Sequence, residues 1–381
     1  MSIRRELQRC LGALLLLPTL SPASQAQRAA TATAPVPSAR EADYIARNFH
    51  FRSGESLPEL RLHYRTLGTP VRDARGRVAN AALLLHATGG SGTQFLQPQF
   101  AGVLLGPGQL LDTNRYFVIL PDGIGHGNSS KPSDGLRARF PQYDYADMVA
   151  SQHQLLTEAL GVDHLRLVLG TSMGCMHAWI WAETYPAYMD AVMALACLPV
   201  EVSGRNQMWR QMTIDGIRQD PEWKNGDYTT QPRAAFQVWA DITLIAFNGT
   251  LQLQAAAPTR AAATQYVADH MKQVAPAFEA NNALYALNAS RSYDPSAGLE
   301  TISTAVMLVN SADDFINPPE LGIAQREITR VKRGRFALIP ASAQTHGHFT
   351  FAWPVFWQQH LRRLLAESAP RGAGGTATLP H

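Results

Sequence analysis

The chain has 381 residues, of which 46% are hydrophobic, and its formal net charge is +3. This length and apolar fraction allow one large domain with an insertion, or two ordinary domains, and they exclude disorder throughout. The near-neutral charge leaves no basic stripe, so we expect no nucleic-acid partner.

The first 26 residues have the three-part pattern of a secretory signal peptide. A basic start is followed by an apolar run at 11–20 and by Ser24-Gln25-Ala26, after which we expect cleavage. This apolar run is too short to span a bilayer, so the pattern predicts a periplasmic or secreted protein without stable membrane insertion. Arg4-Arg5 also leaves twin-arginine export open. Residues 27–42, rich in Ala, Thr and Pro, predict a flexible leader.

Short apolar runs alternate with helical patterns along most of the remaining chain, as in a βαβ sheet. The predicted strands are an antiparallel pair at 49–52 and 60–64, and then 81–86, 116–120, 165–168, 191–196, 304–309 and 335–339. The predicted helices are 147–160, 173–183, 320–331 and 351–367. The fold class is therefore α/β, with a mostly parallel sheet and helices on both faces.

A long segment without strand character interrupts this alternation. An uninterrupted loop of that length is improbable in a compact domain, so residues 201–302 are interpreted as a helical cap inserted into the sheet domain. The core is then formed by 43–200 and 303–367, and the glycine-containing end, 368–381, is expected to be a flexible tail.

The sequence Gly170-Thr171-Ser172-Met173-Gly174 stands between an apolar strand and a helix. This is the pattern of a nucleophile elbow, a sharp turn in which only residues without Cβ fit two positions before and after the serine. The serine hydroxyl is a poor nucleophile unless a base takes its proton. Ser172 is therefore a candidate nucleophile that requires a histidine and an acid.

The arrangement resembles that of α/β hydrolases, in which the acid and then the histidine follow the serine, each after a strand. The strand at 304–309 is followed by two acidic residues, Asp313 and Asp314, and the strand at 335–339 by His346 and His348. Asp314 is preferred because it stands four residues before the first proline of its loop, as in similar hydrolases. His348 is preferred because it lies closer to the final helix. Asp313 and His346 remain the alternatives.

An acyl-transfer site also needs donors for the developing oxyanion. The backbone amide of Met173, directly after the nucleophile, is one candidate because it lies at the positive end of its helix. The second candidate is Thr88, in the glycine-containing loop after the strand at 81–86.

The loop at 122–132 contains several glycines, but it lacks the Lys-Ser/Thr ending of a nucleotide-binding loop. It resembles a loop that lines the active site in α/β hydrolases, so His126 within it is interpreted as structural or as part of the pocket. Metal-ligand spacing is absent from the sequence, and neither a cofactor nor a metal is expected. After signal cleavage only Cys175 and Cys197 remain, and they could form a disulfide or two buried thiols.

Over residues 47–367 the chain resembles, more narrowly, the homoserine O-acetyltransferase-like branch of the α/β hydrolases. Residues 220–228 are similar to that branch's Asp-Pro-x-Trp-x-x-Gly-x-Tyr segment, and His86-Ala87-Thr88 also stands where the branch would place it. Two departures bear on the substrate. Phe349 occupies the place of an Asp suited to an ammonium group, and Ile214 occupies the place of an Arg.

These features predict an exported serine esterase that cleaves a small-molecule ester through an acyl-enzyme on Ser172, with a catalytic triad of Ser172, Asp314 and His348. The alternative is an O-acyltransferase that uses acyl-CoA, but export would separate it from that cytoplasmic donor. A binding protein that has lost turnover is a third possibility. The oligomeric state is open, with a homodimer as one option.

Overall fold

The computed structural model describes residues 38–368. These residues contain an eight-stranded sheet with the order β1-β2-β4-β3-β5-β6-β7-β8, in which β1–β2 and β2–β4 pair antiparallel and the other neighbours pair in parallel. The strands are β1 Arg40–His50, β2 Ser56–Leu67, β3 Ala81–Leu85, β4 Phe117–Pro121, β5 Leu167–Thr171, β6 Ala191–Leu195, β7 Ala305–Ser311 and β8 Gly334–Ile339. The predicted mostly parallel α/β sheet is confirmed.

Helices cover both faces of the sheet. The helices are α1 Pro98–Leu104, α2 Tyr145–Gln154, α3 Met173–Thr184, α4 Gly204–Gln219, α5 Arg233–Phe247, α6 Thr250–Ala256, α7 Arg260–Val274, α8 Ala280–Asn288, α9 Ile323–Glu327 and α10 Gln358–Glu367. Leu83 and Leu85 of β3 belong to the core under α2 and α3, whereas Ala82 and Leu84 belong to the core under α1 and α10. Because successive side chains of a strand point to opposite faces, this five-residue strand is buried on both sides.

The segment between β6 and β7 contains five α-helices, α4 to α8, within the residues predicted as the cap. It packs on the carboxyl ends of the strands through contacts such as that between Phe247 and His348. α4 supplies a buried face, whereas α7 has no buried residue. Within residues 38–368, no helix is both long enough and apolar enough to cross a membrane.

The structure corrects the N-terminal boundary of the core. Residues 40–42, predicted as flexible leader, are the start of β1 and pair with β2. A salt bridge and a hydrogen bond hold this end, because Arg65 Nε donates to Glu41 at 2.8 Å and His63 Nδ1 lies 2.7 Å from Asp43. The first residues of this edge strand are exposed and mostly polar, so their sequence resembles a flexible leader.

Two predicted helices are shorter than expected. α9 covers only 323–327 of the predicted 320–331, and α10 begins at Gln358 instead of 351 because Pro354 starts a separate 3-10 turn. At the other end of α10, Ser368 is buried and accepts a hydrogen bond from Arg166 Nη1 at 3.0 Å, so it is not part of a frayed tail. The predicted signal peptide at 1–26, residues 27–37 of the predicted leader and residues 369–381 of the predicted tail at 368–381 lie outside the described residues.

Candidate active site

Ser172 lies in a sharp turn between β5 and α3 and has φ 52° and ψ −108°, a conformation that L-residues rarely adopt. The two glycines of the motif are required by space. A Cβ on Gly170 would lie 1.9 Å from the carbonyl oxygen of Gly174, and one on Gly174 would lie 2.0 Å from the carbonyl oxygen of Leu85. At this turn the backbone of β5 is therefore in direct contact with that of α3, and the backbone of α3 is in direct contact with that of β3.

The structure brings Ser172, His348 and Asp314 together at the carboxyl ends of β5, β8 and β7. His348 Nε2 is 2.8 Å from Ser172 Oγ, and His348 Nδ1 is 2.8 Å from Asp314 Oδ2. All three side chains are buried. Because the carboxylate accepts the Nδ1 proton, Nε2 carries a lone pair that can take the serine proton.

Asp314 remains ionised in this buried place. Burial by itself raises its pKa, but the His348 ring and hydrogen bonds from His348 and Asn317 outweigh that effect and lower the pKa below its usual range. Its Oδ1 accepts hydrogen bonds from the amides of Ile316 at 2.8 Å and Asn317 at 3.1 Å. A charged, fixed carboxylate is the partner that an imidazolium needs.

The two alternative residues occupy other positions. Asp313 accepts hydrogen bonds from Thr345 Oγ1 at 2.7 Å and from the amide of Gly347 at 3.2 Å, so it fastens the loop that carries His348. The ring of His346 stacks on Trp353 with centroids 4.4 Å apart and an interplanar angle of 13°. The structure therefore pairs Asp314, rather than Asp313, with His348, and His348, rather than His346, with Ser172.

The proposed oxyanion donors lie at the same end of the sheet. The loop after β3 and the start of α3 are joined by a hydrogen bond from the Gly174 amide to the His86 carbonyl at 3.0 Å. Within residues 38–368, the amides of Thr88 and Met173 donate to no other protein group. Both are thus free to donate to a substrate oxygen.

His86 holds the Thr88 loop against the neighbouring loop. Its Nδ1 donates to the Ala87 carbonyl at 2.8 Å, and its Nε2 accepts from the Gly123 amide at 2.9 Å, so the ring is neutral. Burial, followed by the nearby His126 ring, lowers its pKa to about 4. His126 Nε2 in turn lies 2.8 Å from the Thr88 carbonyl oxygen, so it contacts the same loop one residue further along.

The glycine-containing loop at 122–132 wraps around the side-chain carboxylate of Asp122. Asp122 accepts hydrogen bonds from the amides of Gly92 at 2.7 Å and Asn128 at 2.8 Å, and from Arg65 at 3.0 Å. A Cβ on Gly127 would lie 2.1 Å from Asp122 Oδ2. Amides that could cradle a phosphate therefore already bind an internal anion, which disfavours a nucleotide site.

The cap places aromatic side chains over the catalytic histidine candidate. Phe247, at the end of α5, lies with its ring centroid 5.3 Å from that of His348 and 5.1 Å from that of Trp209. It also stacks on Phe349 at 5.5 Å, and Phe349 is 41% exposed. The wall beside His348 is thus aromatic and uncharged where the resembling transferases carry an Asp.

Arg210 of α4 was not predicted as a site residue, because the comparison with the resembling branch expected an arginine only at the position of Ile214. Arg210 is 2% exposed, packs on Trp209 and donates through Nε to Asn206 Oδ1 at 3.0 Å. Within residues 38–368 it forms no salt bridge with an Asp or Glu. Arg210 lies on the same helical face of α4 as apolar residues such as Ile217. This helical spacing is the sequence signal that indicates a buried cation.

A cavity of about 600 Å³ lies between the cap helices α5 to α7 and the loop after β7. Asp313 and Asp314 contribute to its wall, whereas Ser172 and His348 do not. Its other walls are mainly apolar and include Leu244, Leu253, Val267 and Phe315. In the described part of the chain, no three His, Cys, Asp or Glu side chains cluster as metal ligands.

Comparison with known proteins assigns the class. The family model for the alpha/beta hydrolase fold matches residues 83–336, and the chain belongs to this family. Within it the chain belongs to the homoserine O-acetyltransferase-like branch. It is 30% identical over 303 residues to the homoserine O-acetyltransferase of Thermobifida fusca (strain YX), covering 70% of this chain and 78% of that protein.

A second relative agrees with this placement, and two solved structures share the fold. The homoserine O-acetyltransferase of Pelobacter propionicus is 29% identical over 343 residues, covering 81% of this chain and 90% of that protein. The homoserine O-acetyltransferase from Bacillus anthracis matches with a TM-score of 0.75 at 19% identity, covering 86% of this chain and 97% of that chain. The acetyl esterase MekB matches with a TM-score of 0.75 at 22% identity and the same coverages. These relatives support an acyl-transfer or hydrolase function.

Proposed function

We propose that the protein is an exported serine hydrolase that cleaves a carboxylic ester of a small molecule through an acyl-enzyme on Ser172. The observation that carries the proposal is the pair of 2.8 Å contacts linking Ser172 Oγ to His348 and His348 to Asp314. This is the geometry of an activated nucleophile with an oriented base.

His348 Nε2 takes the hydroxyl proton as Ser172 Oγ attacks the ester carbonyl. The Thr88 and Met173 amides donate to the resulting oxyanion, and Asp314 stabilises the imidazolium. When the tetrahedral intermediate collapses, the C–O bond to the alcohol breaks and His348 returns the proton to the departing alcohol. A water molecule, deprotonated by the same histidine, then attacks the acyl carbonyl. The C–O bond to Ser172 breaks, His348 returns the proton to Ser172 Oγ, and the carboxylic acid leaves.

The aromatic wall supports water rather than an amino-acid alcohol as the acyl acceptor. Phe349 and Phe247 form an uncharged surface beside His348 and supply no carboxylate that could form a salt bridge with a substrate ammonium. Desolvating an ammonium against such a surface without a partner is costly. The same surface favours esters of apolar alcohols.

Two features support export. Residues 1–26 have the composition of a signal peptide. Cys175 and Cys197, both fully buried, are joined by a disulfide bond, and such bonds form and persist mainly in oxidising compartments. Comparison of the N-terminal sequence of the protein recovered from periplasm or medium with that of the gene product tests this part of the proposal.

The serine mechanism is tested by hydrolysis of p-nitrophenyl acetate and butyrate by Ser172→Ala and by the control Ser203→Ala. Ser203 is exposed and its side chain caps no helix amide. Ser172→Ala should lose at least about 10³-fold in kcat, while the control retains it. Parental activity in Ser172→Ala would refute the mechanism. A panel of short and long acyl esters, lactones and amides then defines the substrate.

A second candidate, O-acyl transfer to an alcohol, is favoured by one observation, the 30% identity over 303 residues to the homoserine O-acetyltransferase of Thermobifida fusca. Thiol release from acetyl-CoA distinguishes the two functions: release that depends stoichiometrically on added homoserine supports transfer, and release without an acceptor, or none, supports hydrolysis.

A further inference from the structure

Asn317 stands next to the carboxylate of the candidate triad and is 1% exposed. Its side-chain Nδ2 donates to Asp314 Oδ2 at 3.0 Å and to the backbone carbonyl of Ala196 at 3.1 Å. An amide nitrogen carries two hydrogens, so both bonds can form together. Asp314 Oδ2 is the same atom that accepts the proton of His348 Nδ1.

The orientation of this amide is determined by its surroundings. Turning it over would place Oδ1 against two oxygen atoms, the Asp314 carboxylate and the Ala196 carbonyl, without a proton between them. In the observed orientation Oδ1 is buried and has no hydrogen-bond partner among residues 38–368. A buried acceptor without a partner is destabilising, and a leucine of similar size would avoid that penalty. The two N–H groups are thus the useful part of this side chain.

The bond to Ala196 links the acid to the nucleophile. The carbonyl of Leu195, at the end of β6, accepts the backbone N–H of Ser172 at 2.8 Å, and the next carbonyl, that of Ala196, accepts Asn317. Ala196 has φ 62°, a left-handed conformation that is unusual for a residue other than glycine. Two successive carbonyls at one strand end therefore hold the serine and the acid at a fixed separation.

We propose that Asn317 is a positioning residue, which fixes the rotation of the Asp314 carboxylate so that Oδ2 faces His348 and holds the acid in register with Ser172. The inference rests on the proposed serine mechanism. It assigns no contact with substrate to Asn317. Without this amide, the carboxylate can turn about its own bond, and His348 spends less time aligned with Ser172 Oγ.

Removing the donor should affect the rate of reaction and not substrate binding. In the parent, Asp314 is held by the His348 ring and by donors on Asn317 and Ile316. Because Asn317 acts on the carboxylate and is assigned no contact with substrate, the loss should fall on kcat and leave KM nearly unchanged.

Asn310 provides a matched control. It is also buried, its Nδ2 donates to a backbone carbonyl, that of Cys197, at 3.2 Å, and its Oδ1 also lacks a partner among residues 38–368. Asn310 differs from Asn317 in donating no hydrogen bond to Asp314. Replacing either residue by leucine therefore removes a buried amide, but only the change at 317 reaches the triad.

The test compares Asn317→Leu, Asn310→Leu and Ser172→Ala in ester hydrolysis, with urea unfolding of each. Asn317→Leu should lose about 10-fold to 100-fold in kcat with KM nearly unchanged, while Asn310→Leu keeps the parental kcat. Parental kcat in Asn317→Leu would overturn the proposal, as would the same loss of kcat in Asn310→Leu. Parental activity in Ser172→Ala would overturn the serine mechanism and this inference together.

If Asn317→Leu does not fold, Asn317→Ala carries the test, with Asn310→Ala as its control, because alanine has no side-chain N–H or O–H donor. It should lose kcat with KM nearly unchanged, for the same reason as Asn317→Leu. Parental kcat in Asn317→Ala would contradict a positioning role for the amide.

Discussion

Cys175 and Cys197 covalently join the first turn of α3 to the segment that follows β6. Cys175 stands three residues after Ser172, and Cys197 directly follows Ala196, whose carbonyl holds Asn317. The disulfide therefore fastens the helix behind the nucleophile to the strand end that positions the acid. It closes a segment with a sequence separation of 22.

Replacing both Cys175 and Cys197 by serine should lower the free energy of unfolding by about 2–4 kcal/mol, because the unfolded chain regains the freedom that the cross-link removes. Urea unfolding of the oxidised parent and of the double variant measures the difference. Dithiothreitol added to the folded parent should act slowly, because both sulfur atoms are buried. Equal unfolding free energies would show that the bond does not constrain the unfolded chain.

The contribution of His86 to folding stability should fall as the pH is lowered from 6.5 to 4, because His86 is buried in its neutral form. Burial and His126 lower its pKa to about 4 from 6.5, so in this range the unfolded state binds a proton that the folded state does not. Folding stability then rises with pH across the window, by about 3 kcal/mol for this group alone. Burial also lowers the pKa of His126 and of His177, which adds to the effect in the same direction.

Urea unfolding at several pH values checks this prediction, with His86→Gln as the test variant. This variant should be less stable at pH 7, because it loses the paired hydrogen bonds of the ring, but its stability should depend less on pH between 6.5 and 4. The control is His50→Gln, at an exposed position outside this cluster. The same pH dependence in the parent and in His86→Gln would contradict a neutral, buried His86, because other titrating groups, such as Glu183 with its pKa raised to about 7, act equally in both proteins.

Much of the site could be predicted from the sequence, because each of its features is encoded by residues that are close together in the chain. The strand at 81–85 is a short apolar run, and the elbow glycines stand at spacings that the turn geometry dictates. Chain order after two such strands led to Asp314 and His348, which the structure places within hydrogen-bond distance of each other. Each of these signals lies within a few residues of the group that it concerns.

The remaining features depend on contacts between distant segments. The polar start of β1 is ordered by ion pairs with β2, such as that between Glu41 and Arg65. The burial of Arg210 depends on which face of α4 packs against the core. The pairing of Cys175 with Cys197 depends on the position of β6 next to α3. No pattern along the chain encodes these distances.

The elbow should not tolerate a methyl group at Gly174. A Cβ there would lie 2.0 Å from the Leu85 carbonyl oxygen, and backbone atoms cannot move away cheaply. Gly174→Ala should therefore cost at least about 3 kcal/mol of stability. Gly89→Ala is the control, because a Cβ at Gly89 meets nothing within 4 Å; it should change stability by less than about 0.5 kcal/mol. Similar unfolding free energies for the two variants would contradict the close approach of α3 to β3.

Phe349 should control the preference for the alcohol part of the ester. It is 41% exposed, stacks on Phe247 and directly follows His348. Replacing it by Asp puts a carboxylate on the wall that an apolar leaving group would contact. The ratio of kcat/KM for an ethyl ester to that for the matching choline ester should fall by roughly 10-fold, which corresponds to about 1.4 kcal/mol.

The matched control for this substitution is Phe315→Asp, since Phe315 is also 41% exposed but packs under Arg205 instead of beside Phe247. Both variants add one negative charge, so a general electrostatic effect on a cationic substrate would appear in both. Only Phe349→Asp should change the ratio strongly, because only its carboxylate lies beside the His348 ring. If both variants shift the ratio equally, the preference arises from overall charge, and the aromatic wall beside His348 does not select the alcohol.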